Sequence, residues 1–258
     1  MKAMIFAAGL GTRLKPLTDT LPKALVPVCG APLIEHVCRK LKSSGIDEAV
    51  VNVHHFADMI EQWADNQEIL ALRISDERAR LLETGGAVLH ARNLLEGCGN
   101  FLIHNVDIQS DLDICWLASQ VREDALATLL VSERKSSRQL LFDPDTMQLL
   151  GWQNLSTGEV RSPYAGLDPK KCVSLAFSGI HIMSDYVFDI MEEYARAHGL
   201  CLTSEPPRFP VIDFYLWACA CHNIYGIKAE TLNLIDVGKL DTLDRAEAFL
   251  RSECCSRQ

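Results

Sequence analysis

A short segment near the start of the chain combines small residues with two cationic side chains. Residues 7–11 read Ala-Ala-Gly-Leu-Gly, and Arg13 and Lys23 follow closely. Small residues let backbone N–H groups approach an anion, and a guanidinium can form paired hydrogen bonds with phosphate oxygens. Because two cations accompany one loop, the segment predicts a triphosphate site with Arg13 and Lys23 as catalytic residues. The loop residues expected to line it are Ala8, Gly9, Gly11 and Thr12.

This loop differs from two common nucleotide-binding motifs. It lacks the third glycine of the dinucleotide fingerprint, and no Gly-Lys-Ser or Gly-Lys-Thr follows it as in a Walker A motif. The Gly-x-Gly spacing alone also fits an ordinary Rossmann turn, so a dinucleotide-dependent oxidoreductase is one alternative. Against that alternative, no acidic residue clearly ends a second strand about 20 residues after the loop, where a nicotinamide cofactor needs one.

The wider segment from Gly9 to Val28 has a more specific pattern. Its order is Gly-x-Gly-Thr-Arg-x-x-Pro-x-Thr-x-x-x-Pro-Lys-x-Leu-x-Pro-Val. This order resembles the signature of the sugar-1-phosphate nucleotidyltransferases, also called NDP-sugar pyrophosphorylases. The resemblance extends through most of the chain, more loosely in the middle third. It implies a Rossmann-like sheet, a catalytic Mg²⁺, and a reaction of a nucleoside triphosphate with a sugar 1-phosphate that releases pyrophosphate.

The resemblance also implies two metal-binding carboxylates. A Gly-Asp at a strand end supplies the first in the family, and Asp107 occupies that place after the apolar residues 101–103. Val106 stands where the family usually has glycine, and Asn105 could compensate through a polar contact with ribose or sugar. A late Asp-x-Gly supplies the second carboxylate, which implies Asp236 as the other Mg²⁺ ligand. Without the family, an Asp in this setting is more often a turn or cap residue.

Two further segments resemble the parts of the family that choose the substrates. Residues 83–86, Glu-Thr-Gly-Gly, resemble the segment along the nucleobase, although a capping turn with Thr84 at a helix start is an alternative. Residues 178–179 resemble the segment that touches the sugar, whereas the Glu-Lys-Pro stretch of many hexose-1-phosphate enzymes is missing. The implied contacts are Glu83, Gly85, Gly86, Ser178 and Gly179.

These motif variants most resemble the N-acetylmuramate-1-phosphate uridylyltransferase branch of cell-wall recycling. The resemblance therefore implies UTP and N-acetylmuramate 1-phosphate as substrates. A guanylyl- or thymidylyltransferase acting on mannose or glucose 1-phosphate is an alternative. A non-catalytic, nucleotide-binding regulatory paralogue is another, which Val106 favours and the four charged residues Arg13, Lys23, Asp107 and Asp236 disfavour.

The elements that must position these residues alternate between strands and helices in the first half of the chain. An apolar run over residues 2–8 precedes a helical pattern that begins at Pro32 and stops at Gly45. The alternation predicts an α/β fold with a Rossmann-like, mostly parallel mixed sheet flanked by helices, the nucleotide-diphospho-sugar transferase fold. We expect one domain over 1–258, with a nucleotide-binding half 1–138 and a sugar-binding half 139–258 that carries the second metal carboxylate.

Composition excludes several classes of partner. A net charge of −9 over 258 residues argues against nucleic-acid binding, which needs clustered excess Lys and Arg. No run of apolar residues reaches the length of a membrane span, and the start is too short for a signal segment. We therefore expect a cytoplasmic protein without membrane contact, and the sequence indicates no oligomeric state.

The cysteines and histidines are expected to be structural. The chain has 10 cysteines without a disulfide framework spacing, so reduced core thiols are predicted. Cys219-x-Cys221-His222 and the pair at 254–255 lack a second ligand pair at zinc spacing. The histidines at 54, 55 and 104 have no spaced carboxylate or cysteine partner, so we predict that they pack at strand ends.

Overall fold

The computed structural model describes residues 1–200 and 205–256, with the backbone alone for 253–256. In the part described, no helix is both long enough and apolar enough to cross a membrane. The strands are β1 (Lys2–Phe6), β2 (Pro27–Val28), β3 (Ala31–Pro32), β4 (Glu48–Val53), β5 (Ala71–Asp76), β6 (Asn100–Asn105), β7 (Ile108–Ser110), β8 (Ala125–Ser132), β9 (Arg138–Phe142), β10 (Leu149–Asn154), β11 (Glu159–Arg161), β12 (Val173–Ser184), β13 (Asn223–Lys228) and β14 (Leu234–Asp236). The α-helices are α1 (Leu33–Ser43), α2 (Ala57–Asn66), α3 (Glu83–His90), α4 (Arg92–Leu95), α5 (Ile114–Ser119), α6 (Val187–Ala197), α7 (Val211–Ala218) and α8 (Leu243–Ser256).

The chain divides into two compact units that interleave along the sequence. The first unit contains Met1–Leu81, Ile103–Cys115 and the described residues from Leu232 onward. The second contains Leu82–Leu102 and the described residues of Trp116–Thr231. The division therefore does not fall near residue 138, and Asp236 belongs to the same unit as the glycine loop. The expectation of one domain with two functional halves stays a prediction.

The first unit has a parallel sheet built on the strands that sequence periodicity predicted. Its strand order is β6-β1-β4-β5, with β1–β4 and β4–β5 parallel. The register places Ile5 beside Val51 and Val51 beside Ile74. Ile5 and Val51 are fully buried and Ile74 is half-buried, and such β-branched apolar residues suit a covered sheet. Because β1, β4 and β5 are parallel, their carboxyl ends share one edge, which is where such sheets place their chemistry.

Helix α1 shows why this sheet has a stable cover. Five apolar residues at helical spacing are buried in the predicted pattern, and polar residues fill the other positions. The helix stops before Gly45, whose φ of +77° is a left-handed conformation that favours glycine. The buried face consists of Leu33, Ile34, Val37, Cys38 and Leu41.

A short antiparallel ladder in the first unit joins residues far apart in sequence. β7 pairs with β14, which places Leu234 opposite Ser110 and Asp236 opposite Ile108. The backbone N–H of Val237 continues the contact by donating to the carbonyl of Asp107 at 2.8 Å. The ladder therefore carries the last part of the chain to the end of β6.

The second unit is mostly antiparallel. Strands β11, β10, β9 and β12 form a meander in that order, β8 is antiparallel to β12, and β13 is parallel to β8. The register of β12 on β8 shifts between Phe177 and His181, which indicates a bulge at the predicted sugar segment. Tyr194 of α6 contacts Phe209 and Phe214, with ring centroids 5.0 and 5.8 Å apart, so these aromatic rings form a local core.

The predicted α/β fold with a mixed sheet and flanking helices is confirmed. Differences lie at element ends. The apolar run over residues 2–8 forms a strand only over Lys2–Phe6, and the helix expected from Pro32 begins at Leu33. The strands β7 and β11 were not predicted, because three residues carry too little periodicity to identify a strand.

Candidate active site

The glycine loop begins where a buried polar pair holds the end of β1. The amide of Ala7 donates to Oδ1 of Asn52 at 2.8 Å, and Nδ2 of Asn52 donates to Glu77 at 2.7 Å. Asn52 and Glu77 are only 4% and 2% exposed. Because buried polar groups need partners, this network fixes the position at which the chain leaves the sheet. The following residues, from Ala8 onward, are left to form the loop.

The turn within the loop depends on Gly11. Its φ is +62°, and a Cβ there would lie 2.8 Å from Cγ2 of Thr18 and 3.2 Å from Cβ of Lys23. The hydroxyl of Thr18 donates to the Gly11 carbonyl at 2.8 Å, and the amide of Leu14 donates to the same oxygen at 2.8 Å. Conformation and space therefore both require glycine here. Gly9 differs, because no described atom lies within 4 Å of the position of its Cβ.

Three charged residues of the predicted site are brought together in the first unit by Gly238. A Cβ on Gly238 would lie 2.6 Å from Oδ1 of Asp236 and 2.8 Å from Nη2 of Arg13. The guanidinium and the carboxylate therefore approach the same point, and a side chain at residue 238 would displace one of them. The N–H of Val237 donates to the carbonyl of Asp107, which brings Asp107, the other predicted metal carboxylate, close to Asp236. The fourth residue, Lys23, donates to Oδ2 of Asp107.

These residues differ in exposure. Arg13 is exposed, whereas Lys23 is 8% exposed and forms an ion pair with Asp107. Oδ1 of Asp236 is buried and has no hydrogen-bond partner among the described residues. A buried carboxylate oxygen without a donor is costly, so this atom has the character of a ligand awaiting a cation. The arrangement can hold a polyphosphate against two cations and a divalent cation against two carboxylates.

The two carboxylates fit the donor chemistry of Mg²⁺. Mg²⁺ takes oxygen ligands and is commonly held by one or two carboxylates, with water and phosphate oxygens completing the octahedron. Asp107 and Asp236 supply that set, since β14 places Asp236 opposite Ile108, next to Asp107. No group of three or more His, Cys, Asp or Glu able to bind metal occurs in the described part of the chain.

The structure explains how the chain accommodates Val106 at the position where the family usually has glycine. Its side chain is 4% exposed, and its N–H donates to the carbonyl of Phe6 at 3.2 Å. Its φ is not positive, so the backbone does not demand glycine. The side chain fills the interior of the protein instead. Asn105 is half-buried, and its carbonyl accepts from Nδ1 of His104, while its proposed contact with a ligand stays a prediction.

The segment predicted to meet the nucleobase lies in the second unit and contacts its own chain. The amides of Gly85 and Gly86 both donate to the carbonyl of Phe209, at 2.9 and 3.1 Å. A Cβ on Gly86 would lie 2.2 Å from the carbonyl oxygen of Pro207, and one on Gly85 would lie 2.4 Å from the Phe209 ring. The close approach of residues 207–209 therefore already requires both glycines. A contact with a nucleobase stays a prediction.

The remaining residues of this segment have defined partners. Glu83 has a φ of +61°, which is strained for a residue with a side chain, and pairs with Arg208 at 2.6 Å. The alternative that Thr84 caps the start of α3 is wrong, because Leu82 precedes that helix without a side-chain cap. The Thr84 hydroxyl accepts instead from the amide of Val211 at 2.9 Å, at the start of α7.

The predicted sugar segment lies at the bulge of β12. The Ser178 hydroxyl is buried and accepts from the amide of Ile180 at 3.2 Å, while Gly179 has a φ of +81°. The serine side chain therefore stabilises the bulge. Any contact with a sugar would come from the backbone of this segment, and this role stays a prediction.

Comparison with known proteins decides the family. Residues 2–139 match the family model described as nucleotidyl transferase. The N-acetylmuramate alpha-1-phosphate uridylyltransferase of Caulobacter vibrioides is 39% identical over 189 residues, which are 70% of this chain and 74% of that protein. The chain belongs to the nucleotidyl transferase family. The predicted class of enzyme, with its greater likeness to the N-acetylmuramate-1-phosphate uridylyltransferase branch, is thereby confirmed.

Two further comparisons agree with this assignment to the nucleotidyl transferase family. The protein of the same name from Neisseria meningitidis serogroup B is 36% identical over 198 residues, which are 74% of this chain and 79% of that protein. A solved UDP-glucose pyrophosphorylase from Acinetobacter baumanii superposes with a TM-score of 0.73 at 16% identity, covering 100% of this chain and 99% of its own. At that identity the structure supports the fold alone.

Among the cysteines whose side chains are described, only Cys38 and Cys219 of this nucleotidyl transferase are the core thiols that the sequence predicts, and the other five are half-buried or exposed. His104 is fully buried, and burial lowers its pKa to about 4, so the ring is neutral near pH 7. Nδ1 of His54 bonds the carbonyl of Glu77 at 2.7 Å. The cysteines whose side chains are described are free, and burial raises the pKa of Cys219 to about 12, whereas Cys221 is exposed. Cys201 and the pair at 254–255 lie outside the residues whose side chains are described.

Two residues that shape the site, Asn52 and Gly238, were not predicted from the sequence to do so. Asn52 interrupts an otherwise apolar buried strand, and a polar residue in that setting is a signal that could have been noticed. Gly238 was noticed only as part of the Asp-x-Gly motif, whereas its contact with Arg13 depends on the fold. A single sequence has no signal for a contact across 225 residues.

Proposed function

We propose that this chain transfers a uridylyl group from UTP to N-acetylmuramate 1-phosphate, with Mg²⁺, giving the UDP-sugar and pyrophosphate. The observation that carries the proposal is the meeting of Arg13, Asp107 and Asp236 around Gly238 in the first unit. Two carboxylates and an exposed guanidinium at one point suit the transfer of a phosphoryl-type group between two anions. The two relatives named for this activity support the choice of substrates.

The chemistry requires little proton transfer. An oxygen of the acceptor phosphate attacks the α-phosphorus in line, the new P–O bond forms, and the bond to the bridging oxygen of pyrophosphate breaks. The acceptor oxygen already carries negative charge, so no strong general base is needed. The enzyme must instead overcome the repulsion between two anions, which positioned cations reduce.

Each charged residue has a defined part in this scheme. Arg13 is exposed and free to form paired hydrogen bonds with phosphate oxygens. Lys23 is held by Asp107 and can exchange that bond for one to a phosphate oxygen. Asp107 and Asp236 would hold the metal, and the buried Oδ1 of Asp236 is the atom that most needs a cation. Mg²⁺ bound there would neutralise phosphate charge and align the reacting groups.

Substrate identity is best tested by a matrix of nucleoside triphosphates against sugar 1-phosphates. UTP, GTP, dTTP, ATP and CTP would be combined with the 1-phosphates of N-acetylmuramate, N-acetylglucosamine, glucose and mannose. Release of pyrophosphate would be measured with and without Mg²⁺. We expect the highest kcat/KM for UTP with N-acetylmuramate 1-phosphate. A clear preference for GTP with mannose 1-phosphate, or no turnover of any pair, would contradict the proposal.

The role of the metal carboxylates is tested by Asp107→Asn. This change keeps the size of the side chain but removes the charge that pairs with Lys23 and would bind the cation. We expect pyrophosphate release to fall by at least about 10³-fold, because a metal ligand and its alignment of the phosphates are lost together.

The matched control for this variant is Asp65→Asn, which removes the same charge from the exposed side of α2. It should behave as wild type. Circular dichroism and a thermal melt of both variants would separate loss of chemistry from loss of fold. An Asp107→Asn protein with undiminished Mg²⁺-dependent activity would place the metal elsewhere.

A further inference from the structure

The second unit contains an open cavity between the end of β8 and β9. Its volume is about 510 Å³, which is large enough for a sugar-sized group. The lining includes two cationic side chains, Arg134 and Lys135, together with Gln139 and the exposed apolar side chain of Leu155. None of these residues belongs to the sequence motifs of the family described above.

The charge of this cavity is positive. Glu133 also lines it, but this carboxylate is neutralised by an ion pair with Lys228, whose hydrogen bond lowers the pKa of Glu133. Lys135 is exposed and has no ion pair within the described part of the chain. A net positive cavity on a chain of net charge −9 is a local exception that favours an anionic ligand.

Arg134 has hydrogen-bonding capacity that the described residues leave unused. Its Nη2 donates to the carbonyl of Phe177 at 2.8 Å, which fixes the guanidinium against the bulge of β12. Its Nε is buried and has no acceptor among the described residues. A guanidinium presents its donors as a planar fork that matches a carboxylate or a phosphate, so an anion with paired oxygens is the ligand that would satisfy Arg134.

The cavity adjoins the predicted sugar segment. Phe177, whose carbonyl holds Arg134, is the residue immediately before Ser178 and Gly179. A sugar lying along that backbone would therefore have Arg134 beside it. Among amino sugars, N-acetylmuramate differs from N-acetylglucosamine by a lactyl ether, which adds one carboxylate and one methyl group.

We propose that Arg134 and Lys135 bind the lactyl carboxylate of the acceptor and thereby select an acidic amino sugar over its neutral parent. This inference rests on the proposed function, because it concerns the acceptor of that reaction. Leu155 supplies an apolar side chain to the same cavity for the lactyl methyl group.

The experiment compares three acceptors that differ only in the lactyl group. They are N-acetylmuramate 1-phosphate, its lactyl carboxamide, and N-acetylglucosamine 1-phosphate, each with UTP and Mg²⁺. We expect wild type to prefer the acid to the carboxamide by about 10- to 100-fold in kcat/KM, as for a lost charge-assisted hydrogen bond. Arg134→Gln should remove most of that preference, and Arg134→Lys should restore part of it. Turnover of the neutral acceptors should remain.

Two further variants make the test specific. Lys135→Gln, at an exposed position, should reduce the preference by a smaller factor and leave folding unchanged. Arg138→Gln removes a charge from the same stretch of chain without lining the cavity, and should match wild type. A direct thermal-shift titration with N-acetylmuramate 1-phosphate should show weaker binding for Arg134→Gln than for Arg138→Gln.

The outcomes separate this inference from the function on which it rests. If wild type transfers nucleotide but does not distinguish the acid from the carboxamide, the inference is overturned and nucleotidyl transfer stands. Equal losses on all three acceptors in Arg134→Gln and Lys135→Gln would also overturn it, because they would show a general effect on the sugar segment. If wild type releases no pyrophosphate with any sugar 1-phosphate, the proposed function itself fails.

Discussion

The two glycine segments of this chain look alike in sequence and differ in what they contact. In the first unit, Gly9 faces open space and Gly11 forms a left-handed turn beside exposed Arg13. In the second unit, Gly85 and Gly86 are covered by the backbone and ring of residues 207–209. A glycine can therefore leave room for a ligand or for the protein's own chain. The comparison predicts that replacing glycine by alanine has different consequences in the two segments.

The largest effect should come from filling the covered segment. In Gly86→Ala the new methyl group would lie 2.2 Å from the carbonyl oxygen of Pro207, a backbone atom that cannot turn aside. We expect the free energy of unfolding to fall by about 3 kcal/mol or more, since overpacking against backbone forces a shift of both segments. Chemical denaturation monitored by fluorescence would measure it. Wild-type stability in this variant would show that residues 207–209 do not hold this position.

The next effect should be on catalysis and not on folding. Arg13→Ala removes an exposed guanidinium at the point shared with Asp236. We expect kcat to fall by about 10²-fold or more, as for the loss of one preorganised charge donor. Arg251→Ala, at an exposed position on α8, is the control for the change of charge. If steady-state pyrophosphate release by Arg13→Ala stayed near the wild-type rate, the loop would lose its proposed role.

The dependence of stability on pH tests the burial of His104 in β6, the strand that leads to the predicted site in the first unit. Burial lowers the pKa of His104 to about 4, below the usual value near 6.5, so the unfolded chain binds a proton there more readily than the folded one. The contribution of His104 to the free energy of unfolding is therefore fully present above pH 6.5 and is lost as pH falls towards 4. From pH 7 to pH 5 we expect a loss of about 2 kcal/mol from this group. His104→Gln should show a flatter dependence in denaturation at each pH, and an equal slope would exclude His104 as the cause.

The smallest effect on stability should come from substitution of Gly9, which has open space at the position of its Cβ. Gly9→Ala places a methyl group where no described atom lies within 4 Å, so we expect the free energy of unfolding to change by less than about 0.5 kcal/mol. Activity should fall all the same, because the methyl group would keep phosphate from the loop backbone. A thermal melt and a pyrophosphate assay of one preparation would test both. A stable Gly9→Ala protein with full activity would remove the distinction between the two glycine segments.

Local patterns in the sequence predicted much of this molecule. The burial of α1 and the strands β1 and β4 follow from apolar periodicity, and the loop from Gly9 to Lys23 follows from a motif. Asp107 and Asp236 were selected by the order of family motifs, and the structure brings them together through β7 and β14. That ladder could not be predicted, because its strands have three residues each and lie 124 residues apart, counted from Ser110 to Leu234.

Contacts that depend on tertiary packing could not be predicted from the sequence. The cover that residues 207–209 place over Gly85 and Gly86 is formed by segments that share no periodic pattern. Thr84 looked like a cap of its own helix and instead caps α7, since a hydroxyl bonds whichever amide the fold brings near. Arg134 lay between the motifs, and only the cavity gives it a possible ligand.

The ladder between β7 and β14 has a consequence for the synthesis of the enzyme. The glycine loop and Asp107 leave the ribosome early, whereas Asp236 and Gly238 emerge only after the whole second unit has been made. A nascent chain can therefore form the phosphate loop but not the pair of carboxylates. The two predicted metal ligands therefore come together only after residues 178–179, the predicted sugar segment, have been synthesised.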